Sequence, residues 1–159
     1  MYKKGDYDLA GFSVGAVERT QILPRQALAG DVMIGIASSG PHANGYSLIR
    51  KIIGDSAAKL EKPAPFDHTR SLGDALLEPT RIYIDAVLPH LRNSGVRGFA
   101  HITGGGLADN VPRVLSENVM PAYDEAALSL PPVFEWLRSE GKVSQTDMRR
   151  TFNLSLIHI

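Results

Sequence analysis

The sequence predicts an α/β (α+β) domain, a mixed β-sheet packed by helices. Three observations carry this. Apolar runs of strand length intermix with stretches whose apolar residues recur every three or four positions. Two of those runs end in glycine-rich turns that open onto helical patterns. The 159 residues suffice for one domain with a real core, and no internal repeat, low-complexity tract or linker divides them.

Each element follows in order. Residues 7–18, YDLAGFSVGAVE, read as a strand with Leu9, Phe12, Val14 and Val17 as its apolar content. Gly11 and Gly15 suit a bulge or a close backbone approach. Residues 21–30 form a polar connection ending in an Ala29-Gly30-Asp31 turn. Val32 to Ala37 is nearly continuous in apolar residues, the pattern of a strand buried on both faces. A loop, Ser38 to Gly45, leads into a helix starting near Asn44, a favoured N-cap residue. Tyr46, Leu48, Ile49, Ile52 and Ile53 give that helix one apolar stripe.

Residues 54–75 are rich in Pro, Gly and polar residues and read as a surface excursion. A second helix is expected from Pro79, with Ile82, Tyr83, Ala86, Val87 and Leu91 buried and Asn93-Ser94-Gly95 ending it. Val96 to Thr103 is a short strand candidate. The Gly104-Gly105-Gly106 triplet and a short helix over 107–115 come next. Val119 to Asp124 is a further strand candidate. Pro131 to Glu140 reads as a helix carrying Phe134, Trp136 and Leu137 and closed by Gly141, and Asp147 to Arg150 as one more turn.

Composition excludes several function classes. Hydrophobic residues make up 43% and charged residues 21%, as in ordinary soluble domains. Lysine plus arginine equals aspartate plus glutamate at 17 each, so bulk charge draws the chain to neither nucleic acid nor membrane. With no cysteine there is no disulfide, thiolate metal site or cysteine nucleophile. No apolar stretch approaches the roughly 18 residues of a membrane span. The polar start, MYKKGDYD, lacks the apolar core of a signal peptide, so a cytoplasmic protein is expected.

The two strand–glycine turn–helix units, at 33–53 and 99–115, carry the chemistry. Each aims backbone N–H groups and a helix dipole outward, an arrangement suited to phosphate. Gly40 to Gly45 has the G-x-x-x-x-G spacing of a P-loop, but Tyr46 occupies the lysine position. Without that lysine the loop suits a monophosphate, held by amides and the hydroxyls of Ser38, Ser39 and Ser47. His42, inside the loop and expected to be exposed, titrates near neutral pH and can donate to a phosphate or carbonyl. His101 reads as a satisfied sheet residue. His68, His90 and His158 have no metal-ligand spacing. Asp6 and Asp8 fit solvated strand ends better than a metal-nucleotide site. A surface arginine is the commoner case for Arg50 and Arg113, and Trp136 with Phe134 reads as core.

Six segments occur in an order that identifies a family: GDYDLAGFSVGAVE, GDVMIGIASSGPHANGYSLIRKI, LLEPTRIYIDAVL, AHITGGGLADNVPRVL, PPVFEWLRSEGKV and DMRRTFN. Over residues 1–153 the chain resembles the C-terminal domain of phosphoribosylformylglycinamidine cyclo-ligases, the aminoimidazole ribonucleotide synthetases. Formylglycinamidine ribonucleotide synthetase, thiamine-phosphate kinase, selenophosphate synthetase and a carbamoyl-dehydrating hydrogenase maturation factor share the architecture. The resemblance implies a cytoplasmic purine-biosynthesis enzyme, a homodimer acting on formylglycinamidine ribonucleotide with ATP and Mg²⁺, with no nucleic-acid or membrane partner. It implies a catalytic role for His42. Substrate or phosphate would fall to Ser38, Ser39, Gly40, Asn44, Gly45 and Ser47, and to Thr103, Gly104, Gly105 and Gly106. It does not choose between the two turns, and it implies no metal ligand in this domain.

The chain departs from the family pattern in three places. No D-G-V-G-T-K type motif for ATP and Mg²⁺ occurs in it, so the domain is expected to be truncated at both ends and inactive alone. Ala43 stands where many members carry serine. Asn153 is followed by Leu-Ser-Leu-Ile-His-Ile rather than C-G-x-G-M, so residues 154–159 read as a foreign tail and a sheet edge is expected to lie unpaired. Two other readings remain. One is a formylglycinamidine ribonucleotide synthetase domain, against which H-I-T-G-G-G stands in place of D-x-G-A-G-G-L. The other is a non-catalytic phosphate-ester binding module.

Overall fold

The computed structural model describes residues 5, 7, 9–24, 26–93, 95–124, 130–152, 154 and 156–158. The fold is α/β, with helices packed on small antiparallel ribbons. In chain order it runs β1 (Gly35–Ala37), α1 (Tyr46–Asp55), β2 (Pro63–Ala64), β3 (Asp67–Ser71), α2 (Leu72–Leu76) and α3 (Ile84–Val87). Then come α4 (Gly106–Asn110), α5 (Pro132–Glu140), α6 (Gln145–Thr151) and β4 (Leu156–His158). Short 3-10 turns cover Arg19–Gln21, Leu88–His90 and Val111–Val114. β2 pairs with β3 as a hairpin and β1 pairs with β4, both antiparallel.

The main core lies between α1, the β2–β3 hairpin, α2, α5 and α6. Ile49 and Ile52 enter it from α1, Phe134 and Leu137 from α5, and Met148 and Phe152 from the last helix and its exit. The stripe read for α1 is therefore the face that packs. α2 and α6 begin on Ser71 and Ser144, whose hydroxyls accept from Asp74 N–H and Asp147 N–H at 3.1 Å. Phe134 and Phe152 meet with ring centroids 5.4 Å apart, and Phe66 and Trp136 at 5.5 Å. A smaller cluster joins Ala100, Ile102 and Val111 with Met33, Leu107, Val114 and Leu115.

Several expectations need correction, and one physical reason covers the strands among them. The segments 9–18, 96–103 and 119–124 form no strand, and only the end of 32–37 does. Val32 and Ile34 are 81% and 60% exposed rather than buried on both faces. A strand exists only through its neighbour's hydrogen bonds. Here 27–35, 95–98 and 119–124 line a cleft of about 880 Å³, joined across it by the Arg97–Asp31 ion pair at 2.7 Å rather than by a backbone ladder. Tyr7, Leu9, Phe12 and Val14 likewise lie open to solvent.

The helix expected from Pro79 shrinks to α3 and a 3-10 turn with no buried residue, and Ile82 is 83% exposed. Ser94 in its expected terminator lies outside the described residues. The supposed surface excursion 54–75 contributes Ala64, Leu72 and Ala75 to the core, because the hairpin folds them under α1 and α5. Leu156–His158, within the stretch read as a foreign tail, form β4 and give β1 a partner where an unpaired edge was expected. Among the described residues no helix is long and apolar enough to cross a membrane.

Burial separates the two phenylalanine positions quantitatively. Phe152→Ala is expected to cost about 3–5 kcal/mol, and Phe12→Ala no more than about 0.5 kcal/mol, both read from urea unfolding. Equal losses at the two positions would mean that the 9–18 segment is packed in solution.

Candidate functional site

The first glycine turn is built by backbone conformations that few residue types adopt. His42 has φ 56°, in the left-handed region, and Gly45 has φ 77°. Gly45, not Asn44, is the N-cap of α1, and no side chain caps that end. Asn44 N–H donates to the Pro41 carbonyl at 3.1 Å, which closes the turn. Pro41 and His42 are buried, so the histidine expected to be exposed is 7% exposed instead.

That burial fixes what the His42 ring does. Ser39 N–H donates to His42 Nε2 at 3.1 Å, so this nitrogen is an acceptor and the neutral ring carries its proton on Nδ1. The Ser39 hydroxyl donates to the Pro79 carbonyl at 2.8 Å and sits 3.1 Å from the same Nε2. Burial first, then the charges of His101 and Arg81, pull His42 below its ordinary 6.5. Tyr83 stands beside the ring, centroids 6.2 Å apart.

The segment after α2 straps the loop from the other side. Arg81 Nη1 and the Tyr83 hydroxyl both donate to the Ala37 carbonyl, at 3.1 and 3.0 Å. Ala37 is the last residue of β1, so this pair of hydrogen bonds sets where the loop leaves the strand. Ser38 Oγ, next along the chain, is buried with no partner among the described residues. Glu78 borders the loop beside Gly40 and pairs with Arg70, which also holds Asp67.

The second glycine turn is occupied by the protein itself. Gly105 N–H donates to the Arg150 carbonyl at 2.9 Å, and Gly106 N–H to the Thr103 carbonyl at 3.0 Å. Asn110 Nδ2 donates to the carbonyls of Gly106 and Gly104 at 2.8 and 3.3 Å. Gly106 has φ 64°, and any side chain there would collide with the Arg149 carbonyl. The glycines thus let α6 approach. Thr103 faces Asn110, with oxygens 3.5 Å apart.

The expected site residues fall into two groups. Ser38, Ser39, Gly40, His42, Asn44 and Gly45 come together in the first turn, while Ser47 is exposed on the first turn of α1. Thr103 to Gly106 form the second turn against α6. His101, before the second turn, is exposed and belongs to no strand. Sequence reasoning missed Arg81 and Tyr83. Their signal was the P-T-R-I-Y run itself, which was read as a helix face. Asp6, Asp8 and the His158 side chain lie outside the described residues. Among the described residues no three His, Asp or Glu side chains gather to hold a metal ion.

The depressed His42 gives stability a defined pH dependence. Its folded value lies below the unfolded one, so the unfolded chain binds the extra proton first. His42 therefore contributes fully above about pH 6.5 and destabilises progressively as pH falls below that. Thermal unfolding of wild type and His42→Asn, which tolerates the left-handed backbone, is expected to diverge between pH 8 and 5, with wild type losing more. A difference that does not change with pH would remove the assignment.

The comparison with known families agrees with the geometry. The model of the AIR synthase related protein, C-terminal domain, matches residues 29–156. Its members are typically ATP-dependent ligases or kinases. The match starts at the turn before β1 and takes in both glycine turns, the Pro79–Tyr83 strap and α6. The chain belongs to the AIR synthase related family, as its C-terminal domain.

Proposed function

We propose that this chain is the substrate-side wall of a phosphoribosylformylglycinamidine cyclo-ligase. The observation that carries the reading is the joining of two distant motifs. S-S-G-P-H-x-N-G-Y-S and P-T-R-I-Y meet through Ser39 on Pro79 and through Arg81 and Tyr83 on Ala37. Two of the segments that carry the family resemblance are thus the ones that shape the loop.

The reaction closes formylglycinamidine ribonucleotide to aminoimidazole ribonucleotide. ATP transfers its terminal phosphoryl group to the formyl amide oxygen. An amidine nitrogen attacks the same carbon, the ring closes, and phosphate leaves with that oxygen, giving ADP and phosphate. Such chemistry rests on placement and anion stabilisation more than on a strong nucleophile. In this reading the first turn receives the phosphorylated end of the substrate, because the amides of Gly105 and Gly106 are already committed. His42 stays neutral and holds Ser39 in place. In this reading ATP and Mg²⁺ fall mainly to a D-G-V-G-T-K type domain in the homodimeric cytoplasmic enzyme.

Turnover tests the proposal directly. The chain alone, given ATP, Mg²⁺ and formylglycinamidine ribonucleotide, is expected to release no phosphate. Joined to a D-G-V-G-T-K domain, it is expected to release ADP and form the aminoimidazole in equal amounts. His42→Asn in that enzyme is expected to lose about a hundredfold in kcat/KM, the cost of a misplaced loop. A folded, joined enzyme that instead aminates formylglycinamide ribonucleotide would establish the synthetase reading in its place.

A further inference from the structure

We infer that α6, with Phe152 at its exit, is a clasp that closes both glycine turns together, so that the two turns open and shut as one unit. The Arg150 carbonyl accepts from Gly105 N–H at 2.9 Å, which ties the clasp to the second turn. The Arg149 carbonyl sits where a Gly106 side chain would stand. At the exit of α6 the Phe152 ring fills the place of a Gly45 side chain, against the N-cap of α1. Farther on, β4 runs antiparallel to β1, whose last residue, Ala37, leads into the first turn. Both contacts depend on glycine. Gly45 has φ 77° and Gly106 has φ 64°, and a Cβ at either position would drive the clasp away.

The clasp is anchored lightly enough to open before the rest of the fold. α6 is seven residues long, and Met148 is its one buried residue. A helix so short does not hold itself in water. Its hold comes from Met148 and Phe152, which both enter the core, and from the Ser144 cap. When those anchors leave, Gly105 loses its acceptor and Gly45 loses its cover in the same event. The β2–β3 hairpin keeps bonds of its own. Leu72 N–H donates to the Lys62 carbonyl at 2.7 Å and Gly73 N–H to the Leu60 carbonyl at 2.8 Å, and neither bond uses an atom of α6. Segments with few buried anchors open below the free energy of global unfolding.

Coupling of this kind is reciprocal, so whatever orders one turn protects the other. Where the first turn takes the substrate, as proposed above, the second turn registers its arrival through α6. The coupling itself does not depend on that reading, since the chain alone displays it.

Native-state hydrogen exchange on the whole chain, read by NMR at rising urea below the unfolding transition, tests the clasp. The Asn44 amide, bonded to the Pro41 carbonyl at 3.1 Å, reports the first turn, and the Gly105 amide reports the second. The Leu72 and Gly73 amides report the hairpin. In wild type, Asn44 and Gly105 are expected to merge onto one line, with a common opening free energy and urea slope, below that of the hairpin.

Two matched cap variants complete the test, and neither removes a core side chain. Ser144 caps α6 through Asp147 N–H and Ser71 caps α2 through Asp74 N–H, each at 3.1 Å. Ser144→Ala is expected to speed exchange at Asn44 and Gly105 by the same factor, about fivefold, as loss of a helix cap gives. Ser71→Ala is expected to speed Leu72 and Gly73 and to leave Asn44 and Gly105 unchanged. Separate wild-type lines for the two turns, or no measurable protection at Gly105, would overturn the clasp. So would a Ser144→Ala effect confined to Gly105, which leaves the first turn uncoupled. Equal acceleration of Asn44 and Gly105 by Ser71→Ala would also overturn it, because the turns would then open only with the whole fold.

Discussion

The segment from α6 to Phe152 holds both glycine turns, and the rest of the fold is arranged around that seating. The Arg149 carbonyl fills the space where a Gly106 side chain would stand, and the Arg150 carbonyl takes the Gly105 amide. Two residues later the Phe152 ring covers Gly45, at the start of α1, and packs against Phe134 in a tilted pair. A helix of seven residues thereby fixes the entry to two other helices. Its own stability comes from burial, through Met148 and Phe152, and from the Ser144 cap. Close packing makes such an arrangement all-or-none, since neither turn can shift without opening a void beneath Phe152.

This seating changes what the glycines mean. A glycine at the mouth of a helix is easily taken as room for a ligand's phosphate. At positions 45 and 106 the room is taken by a phenylalanine ring and a backbone carbonyl. In the proposed reading, ligand binding therefore falls less to these glycines than to the outer edge of the first turn. There the Ala37 carbonyl, gripped by Arg81 and Tyr83, plays the organising part. The neutral His42 ring is held as an acceptor for Ser39, which sets the loop's shape before any ligand arrives. A preformed loop of this kind wastes little binding free energy on ordering.

What the sequence made legible divides along a physical line. The α1 stripe, the α5 helix with Phe134 and Leu137, the Gly141 stop and the turn at Ala29–Asp31 were readable because each is decided by neighbours within a turn or two of chain. The strands were not, because a strand is decided by a partner that can lie anywhere. Val32 to Ala37 carried a strong apolar run, yet only the three residues that met 156–158 became strand. Pro79 to Leu91 carried a helical stripe, yet Arg81 and Tyr83 were drawn to the Ala37 carbonyl, some 45 residues away in sequence, and the helix was confined to four residues. His42 was placed correctly in the loop but not in its burial, since nothing local announces that a ring will accept from its own turn. The 54–75 stretch failed for the opposite reason: its polar residues hide the few apolar ones that enter the core.

The same line explains why Arg81 escaped notice and His42 did not. A histidine among glycines stands out by type, and its neighbours fix its setting. An arginine in P-T-R-I-Y is ordinary until the fold brings its guanidinium to a strand end and, among the described residues, pairs it with no carboxylate. Its setting lies in three long-range facts: the Ala37 carbonyl it holds, the Ser39 hydroxyl on the Pro79 carbonyl two residues before it, and the engagement of Glu78 by Arg70. Remove any one and the arginine becomes a surface residue or half of an ion pair. A charge pattern that depends on which carboxylates are already occupied is a property of the folded molecule, since occupancy is set by geometry that no linear spacing records.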